Sequence, residues 1–300
     1  MDKAIKIIVD DQKLNAVTSD NLFEKSDSLL RVNDQTSVEI NLQDVKFVDP
    51  YGLVALCLVG RHLKNKCKEL SMVLPNNFDC QAYLYATNFI PIAQSFMQIK
   101  NILPGAADAR HLDEDVVLEL TKIEKKGKDP NNDINKILGR LRTILQSQLN
   151  FDEQETANFS NIISELCHNI KDHSEDEGLV AVQRYRRKID GKRYVMIGVG
   201  DLGIGIKNSL GTRYDISGWS HIEAIAHALR KEVSSIPDRG FGLYMVSKIT
   251  QDYKGALHIR SGDARLYLRH APRGERTVLF PGTQVSINLS EIGKNDEKKS

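Results

Sequence analysis

The chain has little of what would place a protein outside the cell or across a membrane. Its 300 residues hold four cysteines, and Cys57, Cys67, Cys80 and Cys167 show neither CxxC nor metal-ligand spacing. That pattern sets aside a zinc module and a disulfide framework and points to buried, reduced thiols. The longest apolar run, Leu53 to Gly60, is far short of the roughly 20 residues that a membrane-spanning helix needs. The start, MDKAIKIIVDDQK, turns charged at once and has no signal pattern. An excess of one charge is missing too. Lys plus Arg number 41 and Asp plus Glu 40, a formal charge of +1. This balance gives no global case for nucleic acid or an acidic membrane surface. A soluble cytoplasmic protein is expected.

Apolar residues make up 41% of the chain, enough for sizeable cores. Its length suggests two domains. Over residues 1–100, short apolar runs at Ala4 to Val9, Ser37 to Leu42 and Leu70 to Leu74 read as strands. Helical patterns at 21–30, 53–66 and 79–87 alternate with them. Asp49-Pro50-Tyr51-Gly52 reads as a turn. Residues 101–114, with Pro104-Gly105, read as a linker.

Residues 115–290 form the expected second domain. Val116 to Ile123 alternates like an edge strand, with Val116, Leu118 and Leu120 inward. Helices are expected at Ile134 to Leu149 and from a capping box at Asp152 and Glu155 onward. Strands at 178–188 and 193–199 are joined by Asp190-Gly191, a tight-turn pair. Residues 206–238 read as irregular, with one helix near 220–231, and Phe241 to Gln251 as a helix. Strands are expected at 256–261, 266–270 and 284–289, and residues 291–300 form a polar tail. Arg184, Arg186, Arg187, Lys188, Lys192 and Arg193 give a basic hairpin, read as a solvated surface.

The chemistry concentrates in four places. In and just before NIISELCHNIKDHS, Phe159, Ile162, Ile163, Leu166 and Ile170 share one helical arc. Glu165 and Asn169, four residues apart, stack at its margin. His168 falls on another face, a surface or interface residue, and His173 suits the helix dipole. Next, Asp201 ends a strand and Gly203 and Gly205 follow. Such a carboxylate can accept from an exocyclic amine, and glycines let backbone approach a planar ligand. Third, Arg239-Gly240-Phe241-Gly242-Leu243 runs into a helix whose first N–H groups suit a phosphate, although the loop is no Walker motif. Last, Thr283 follows Pro281-Gly282 into the final strand. Each is weak alone; their order is informative.

An ExxxN helix, then DxGxG, then RGxGL, then GT before the last strand resembles the GHKL superfamily. Those proteins share the Bergerat ATP-binding fold, an α/β sandwich on a mixed sheet. The resemblance is strongest to anti-sigma-factor serine kinases and histidine-kinase catalytic domains. It implies ATP and Mg²⁺ as ligands. Asn169 would coordinate Mg²⁺, and Glu165 would orient or deprotonate the attacking water or hydroxyl. Asp201 would bind the adenine amino group, with Thr283 assisting. Gly203 and Gly205 would shape the nucleotide wall. Arg239, Gly240, Gly242 and Leu243 would hold phosphates. Residues 206–239, with Trp219, would form a mobile lid.

The stretch VEINLQDVKFVDPYGLVALCLVGRHLK is similar to the core of a STAS domain. The position that carries a phosphorylatable Ser or Thr in that family holds Tyr51, which points to a docking or dimerising module instead. The expected fold is thus α/β (α+β), a small STAS-like unit followed by a Bergerat sandwich. The leading expectation is an ATPase or protein serine/threonine kinase that regulates a protein partner. The alternative is a nucleotide-dependent module that sequesters a partner with little turnover. Neither membrane nor nucleic acid is indicated, and a homodimer is left open.

Overall fold

The computed structural model describes residues 4–29, 36–109, 116–124, 130–147, 152–173, 177–187, 189, 191–234 and 242–290. The first hundred residues run β1 (Ile5–Ile8), β2 (Lys13–Leu14), α1 (Ser19–Leu29), β3 (Val38–Asn41), β4 (Phe47–Val48) and α2 (Pro50–Lys64). They continue through β5 (Leu70–Val73), α3 (Phe78–Ala86), α4 (Phe89–Gln94) and β6 (Gln98–Lys100). The rest runs β7 (Val116–Ile123), α5 (Pro130–Ser147), α6 (Glu153–His173), β8 (Gly178–Arg186), β9 (Arg193–Gly200) and α7 (Gly205–Leu210). It ends with α8 (His221–Ala228), α9 (Gly242–Asp252), β10 (Ala256–Leu268) and β11 (Pro272–Ser290).

Helices separate the strands of the first part, and its four-stranded sheet, β1-β3-β5-β6, is parallel throughout. β2 and β4 add a two-stranded parallel piece. The second sheet has the order β10-β11-β9-β8-β7, and every pairing in it is antiparallel. This corrects the expectation of a mixed sheet. Short connections make β8 and β9, and β10 and β11, hairpin partners. β11 then returns beside β9 in the opposite direction.

The last two strands are also longer than expected. Three short strands were anticipated where β10 and β11 form one hairpin, bent by a register shift at Gly262, whose φ is 64°. The short α4 and β6 were not anticipated. Nor was α7, inside a stretch expected to be irregular.

α2 joins the two sheets. Asp49 is its N-cap, accepting the Gly52 N–H at 2.8 Å, and Pro50 opens the helix, where a missing N–H costs nothing. The helix therefore starts at Pro50, and the expected turn is its cap. Arg61, His62 and Lys64 complement the dipole at its end. Its side chains are buried nearly all round, which marks a helix packed on two sides.

One side meets the parallel sheet through Ile40, Leu70 and Met72; the other meets the antiparallel sheet through Leu179 and Ala181. Two glycines of β9 make the second contact possible. A Cβ on Gly198 would lie 2.4 Å from the backbone of Pro50, and one on Gly200 would lie 2.9 Å from Val54 and Leu58 side-chain carbons. The opposite face of the antiparallel sheet carries Val180, Val182, Val195, Ile197 and Val199, in one core with residues of α5, α6, α8 and α9. β7 is an edge strand as expected, but simple alternation fails along it. Val117 and Leu118 join the helix-side core and Leu120 the α2 side, with register shifts between them.

Candidate functional site

α6 is built as its sequence dictates. The Glu155 N–H donates to Asp152 Oδ1 at 2.8 Å and the Asp152 N–H to Glu155 Oε2 at 2.9 Å, a reciprocal cap. Phe159, Ile162, Ile163, Leu166 and Ile170 are all buried. Burying five such side chains contributes on the order of 7–15 kcal/mol of apolar transfer, set against chain entropy. That anchorage leaves Glu165 and Asn169 half-buried at the margin of the packed face.

Asp201 directly follows β9 and is 7% exposed. Three bonds fix it. Its N–H donates to the Thr283 carbonyl at 3.0 Å. Its own carbonyl accepts from Gln284 Nε2 at 3.0 Å. Its Oδ1 accepts the Gly203 N–H at 2.7 Å, an Asx-turn bond. Gly203 is thus used through its N–H on Asp201, and it is absent from the cleft lining, so the wall role falls to Gly205.

Gly205 has φ 75° and opens α7. A Cβ there would lie 2.8 Å from Ser261 Oγ. Ser261 Oγ accepts the Ile206 N–H at 2.9 Å, donates to the Gly282 carbonyl at 3.1 Å and lies 3.3 Å from Thr283 Oγ1. Gly282, with φ 77°, leaves no room for a side chain, since a Cβ would be 2.0 Å from the Asp201 carbonyl oxygen. Three remote segments, 201–206, Ser261 and 282–284, are tied together here.

Gly242 is the first residue of α9. A Cβ on it would lie 2.6 Å from Glu165 Oε2 and 4.0 Å from Asn169 Nδ2. Glycine at this position therefore lets the helix start come down onto the carboxylate and carboxamide of α6. Leu243 follows it into the same space. Arg239 and Gly240, the other expected phosphate residues, lie outside the described residues.

These groups face one cleft, with about 970 Å³ of empty space including its open mouth. Leu166, Ile170, Val199, Ile206, Leu210 and Val285 form apolar walls; Asp201 and Thr283 stand at one part and Glu165, Asn169 and Asp172 at another. A flat apolar body with a donor edge would match the walls beside Asp201 and Thr283; the carboxylates at the other part favour a cation or a metal-neutralised group. Among the described residues no group of three or more His, Cys, Asp and Glu could hold a metal. Mg²⁺ takes few protein oxygens and completes its shell with water and phosphate. The Asn169 carboxamide oxygen beside Glu165 fits that sharing, and does not fit a metal held by protein alone.

The expected lid differs from its description over residues 205–234. The expected helix is present as α8, α7 is an additional one, the rest of the stretch is irregular, and Ile206, Leu210, Ala224 and Ile225 are buried in the core. Ser220 caps α8 reciprocally with Glu223. Trp219 stacks on His227 with ring centroids 4.2 Å apart and lies against Tyr214 on the other side. Residues 235–239 lie outside the described residues.

Several participants escaped the sequence. Ser261 and Gln284 were ordinary strand residues there, and nothing in their neighbours signalled a link to Ile206 or to Asp201. His168, placed on another face, lines the cleft. Cys167, one residue away, points into the core, where burial pushes its thiol up to about 12. No protein-family model matches the chain, and no curated protein sequence matches it.

Proposed function

We propose that the cleft binds ATP with Mg²⁺ and that the protein is a GHKL-type ATPase or kinase acting on a protein partner. One observation carries this reading. Glu165, Asn169, Asp201, Gly205, Gly242, Leu243 and Thr283, spread over 119 positions, line a single cleft in the order that the resemblance implies.

Asp201 accepts the adenine amine, and its orientation is set beforehand by the Gly203 N–H, the Thr283 carbonyl and Gln284. The apolar walls take the base faces and exclude water there. Asn169 offers its carboxamide oxygen to Mg²⁺, which when bound neutralises charge on the phosphates. The start of α9 presents backbone N–H groups and the positive end of its dipole to anionic oxygens. Glu165, against that start, orients the attacking water or hydroxyl.

Trp219, the single tryptophan, packs on Tyr214 and His227 outside the cleft lining, so calorimetry measures binding directly and its emission is a second readout. Titration with ATP in the presence and absence of Mg²⁺ should change its emission saturably, with tighter binding when Mg²⁺ is present. Asn169→Ala should remove the Mg²⁺ dependence. Release of labelled phosphate, or its transfer to a partner, separates hydrolysis from kinase activity; binding with neither supports the sequestering role. Failure of ATP to bind with or without Mg²⁺ rejects the reading.

A further inference from the structure

We propose that Ser261 is a positioning residue for base recognition. Acting through Thr283, it makes the polar end of the cleft an edge that only accepts hydrogen bonds, and so selects an amino purine over an oxo purine. This rests on the nucleotide reading above and deepens it.

The Ser261 hydroxyl is fully buried, with one hydrogen to give and two lone pairs to offer. Its oxygen lies 3.1 Å from the Gly282 carbonyl oxygen, 2.9 Å from the Ile206 nitrogen and 3.3 Å from Thr283 Oγ1. A carbonyl oxygen only accepts, so the Ser261 hydrogen goes to Gly282. A backbone N–H only donates, so Ile206 takes one lone pair. The other lone pair is left for Thr283, whose hydroxyl hydrogen therefore points at Ser261. Thr283 Oγ1 then has only lone pairs to show a ligand.

Ser261 and Thr283 stand directly opposite each other in the β10–β11 pairing, with their side chains on one face. Thr283 is half-buried and lines the cleft with Asp201, whereas Ser261 is absent from the lining. Ser261 thus reaches a ligand only through Thr283.

The Ser261 oxygen is held from both sides of the sheet. On the face toward α1, the neighbouring Arg260 is buried and donates to Asp20 Oδ1 at 3.3 Å and to the Val278 carbonyl at 2.5 Å. Its guanidinium lies 4.5 Å and 5.7 Å from the ring centroids of Phe23 and Phe280. On the cleft side, Gly205 lets the start of α7 close onto the hydroxyl, where a Cβ would lie 2.8 Å from Ser261 Oγ.

The Asp201 carboxylate, like Thr283 Oγ1, only accepts. An amine on the purine has hydrogens for such an edge. A carbonyl oxygen in its place meets acceptors alone, and polar groups on both sides stay unpaired.

Calorimetry on the full chain with Mg²⁺ tests this with ATP and inosine triphosphate, which carry the same phosphates and replace the amine by an oxo group. Wild type should bind ATP on the order of 10²-fold or more tightly than inosine triphosphate. In Ser261→Ala, Thr283 can turn its hydrogen into the cleft and donate to the oxo group. The preference should then shrink about fivefold to tenfold, the worth of one neutral hydrogen bond. Adding Thr283→Val to Ser261→Ala should abolish that gain, and its persistence there overturns the assignment. A merely structural Ser261 would weaken both nucleotides alike; an unmoved ratio therefore overturns it too. Should Ser261→Ala not fold, Ser261→Cys takes its place, since a thiol accepts weakly; the same shrinkage is expected, and an unmoved ratio again overturns the assignment. Wild type that binds both nucleotides equally tightly contradicts it while the nucleotide site stands. If wild type binds neither, both ideas fall together.

Discussion

The two faces of the antiparallel sheet use glycine for opposite ends. On the face toward α2, Gly198 and Gly200 remove side chains so that a helix can lie directly on the strand. No space is left; Pro50, Tyr51, Val54 and Leu58 fill it and are all buried. On the other face, Gly205 and Gly242 also remove side chains, yet a cleft remains. The difference lies in what surrounds the glycines. Beside Gly198 stand apolar helix residues that gain by closing up. Beside Gly242 stand a carboxylate and a carboxamide, which lose hydration if buried without partners. The same residue type therefore marks packing on one face and a candidate binding site on the other, and its neighbours tell them apart.

Substitutions can break this contrast. The largest effect is expected at Gly198→Val. Its branched side chain has no escape from the Pro50 backbone, so the chain should lose at least about 3 kcal/mol of stability or fail to fold, as read by urea unfolding. Asp201→Asn comes next and acts on function. Its amide no longer presents a charged acceptor, and ATP affinity should fall about tenfold to a hundredfold by calorimetry, consistent with about 1.5–3 kcal/mol for a charge-assisted bond. Thermal stability should change little, because the amide oxygen can still accept from the Gly203 N–H.

Asp49→Asn probes the α2 face by pH. Burial raises the Asp49 carboxyl to about 7, so ionisation there opposes folding. A raised carboxyl contributes stability in full below the unfolded value near 4, and that contribution is lost as pH rises through about 7. His258, on the same face, is lowered to about 4 by desolvation, with Arg265 and Arg260 adding to it. Its contribution runs the other way, present above the ordinary histidine value and lost as pH falls through about 4. The two slopes oppose each other between these limits. The asparagine keeps the cap but removes the Asp49 slope, so its stability relative to wild type should rise from pH 4 to pH 8.

The smallest stability effect belongs to Gly242→Ala. Alanine near a helix start favours the helix by at most about 1 kcal/mol, so melting should hold or rise slightly. The new methyl must displace the Glu165 carboxylate, and turnover should drop while stability does not. Equal losses of both would show that the cleft face is ordinary packing after all.

What could be read from the sequence was local. The arc of α6, the Asp152–Glu155 cap and the positive φ of Gly191, 68°, all follow from residue types within a few positions. The Glu165–Asn169 stack needed only helical spacing. What escaped depended on remote contact. Asp49-Pro50 read as a turn because turn and helix cap use the same residues, and only the packing of α2 on both sheets shows how far that helix is buried. Ser261 and Gln284 acquire roles because β10 brings Ser261 to the start of α7 and β11 brings Gln284 to Asp201. His168 could not be assigned to the cleft without knowing how far the facing walls extend round α6. The mixed sheet was carried over from a resemblance, whereas strand direction is set by the lengths of the connections.

The central claim is that one cleft holds an adenine nucleotide between Asp201 and the start of α9. A crystal structure of the chain with Mg²⁺ and a non-hydrolysable ATP analogue tests it most directly. The account predicts the adenine amine within hydrogen-bond distance of the Asp201 carboxylate, Mg²⁺ at the Asn169 oxygen and phosphate oxygens beside Gly242. Nucleotide bound elsewhere, or an empty cleft at saturating analogue, would contradict it.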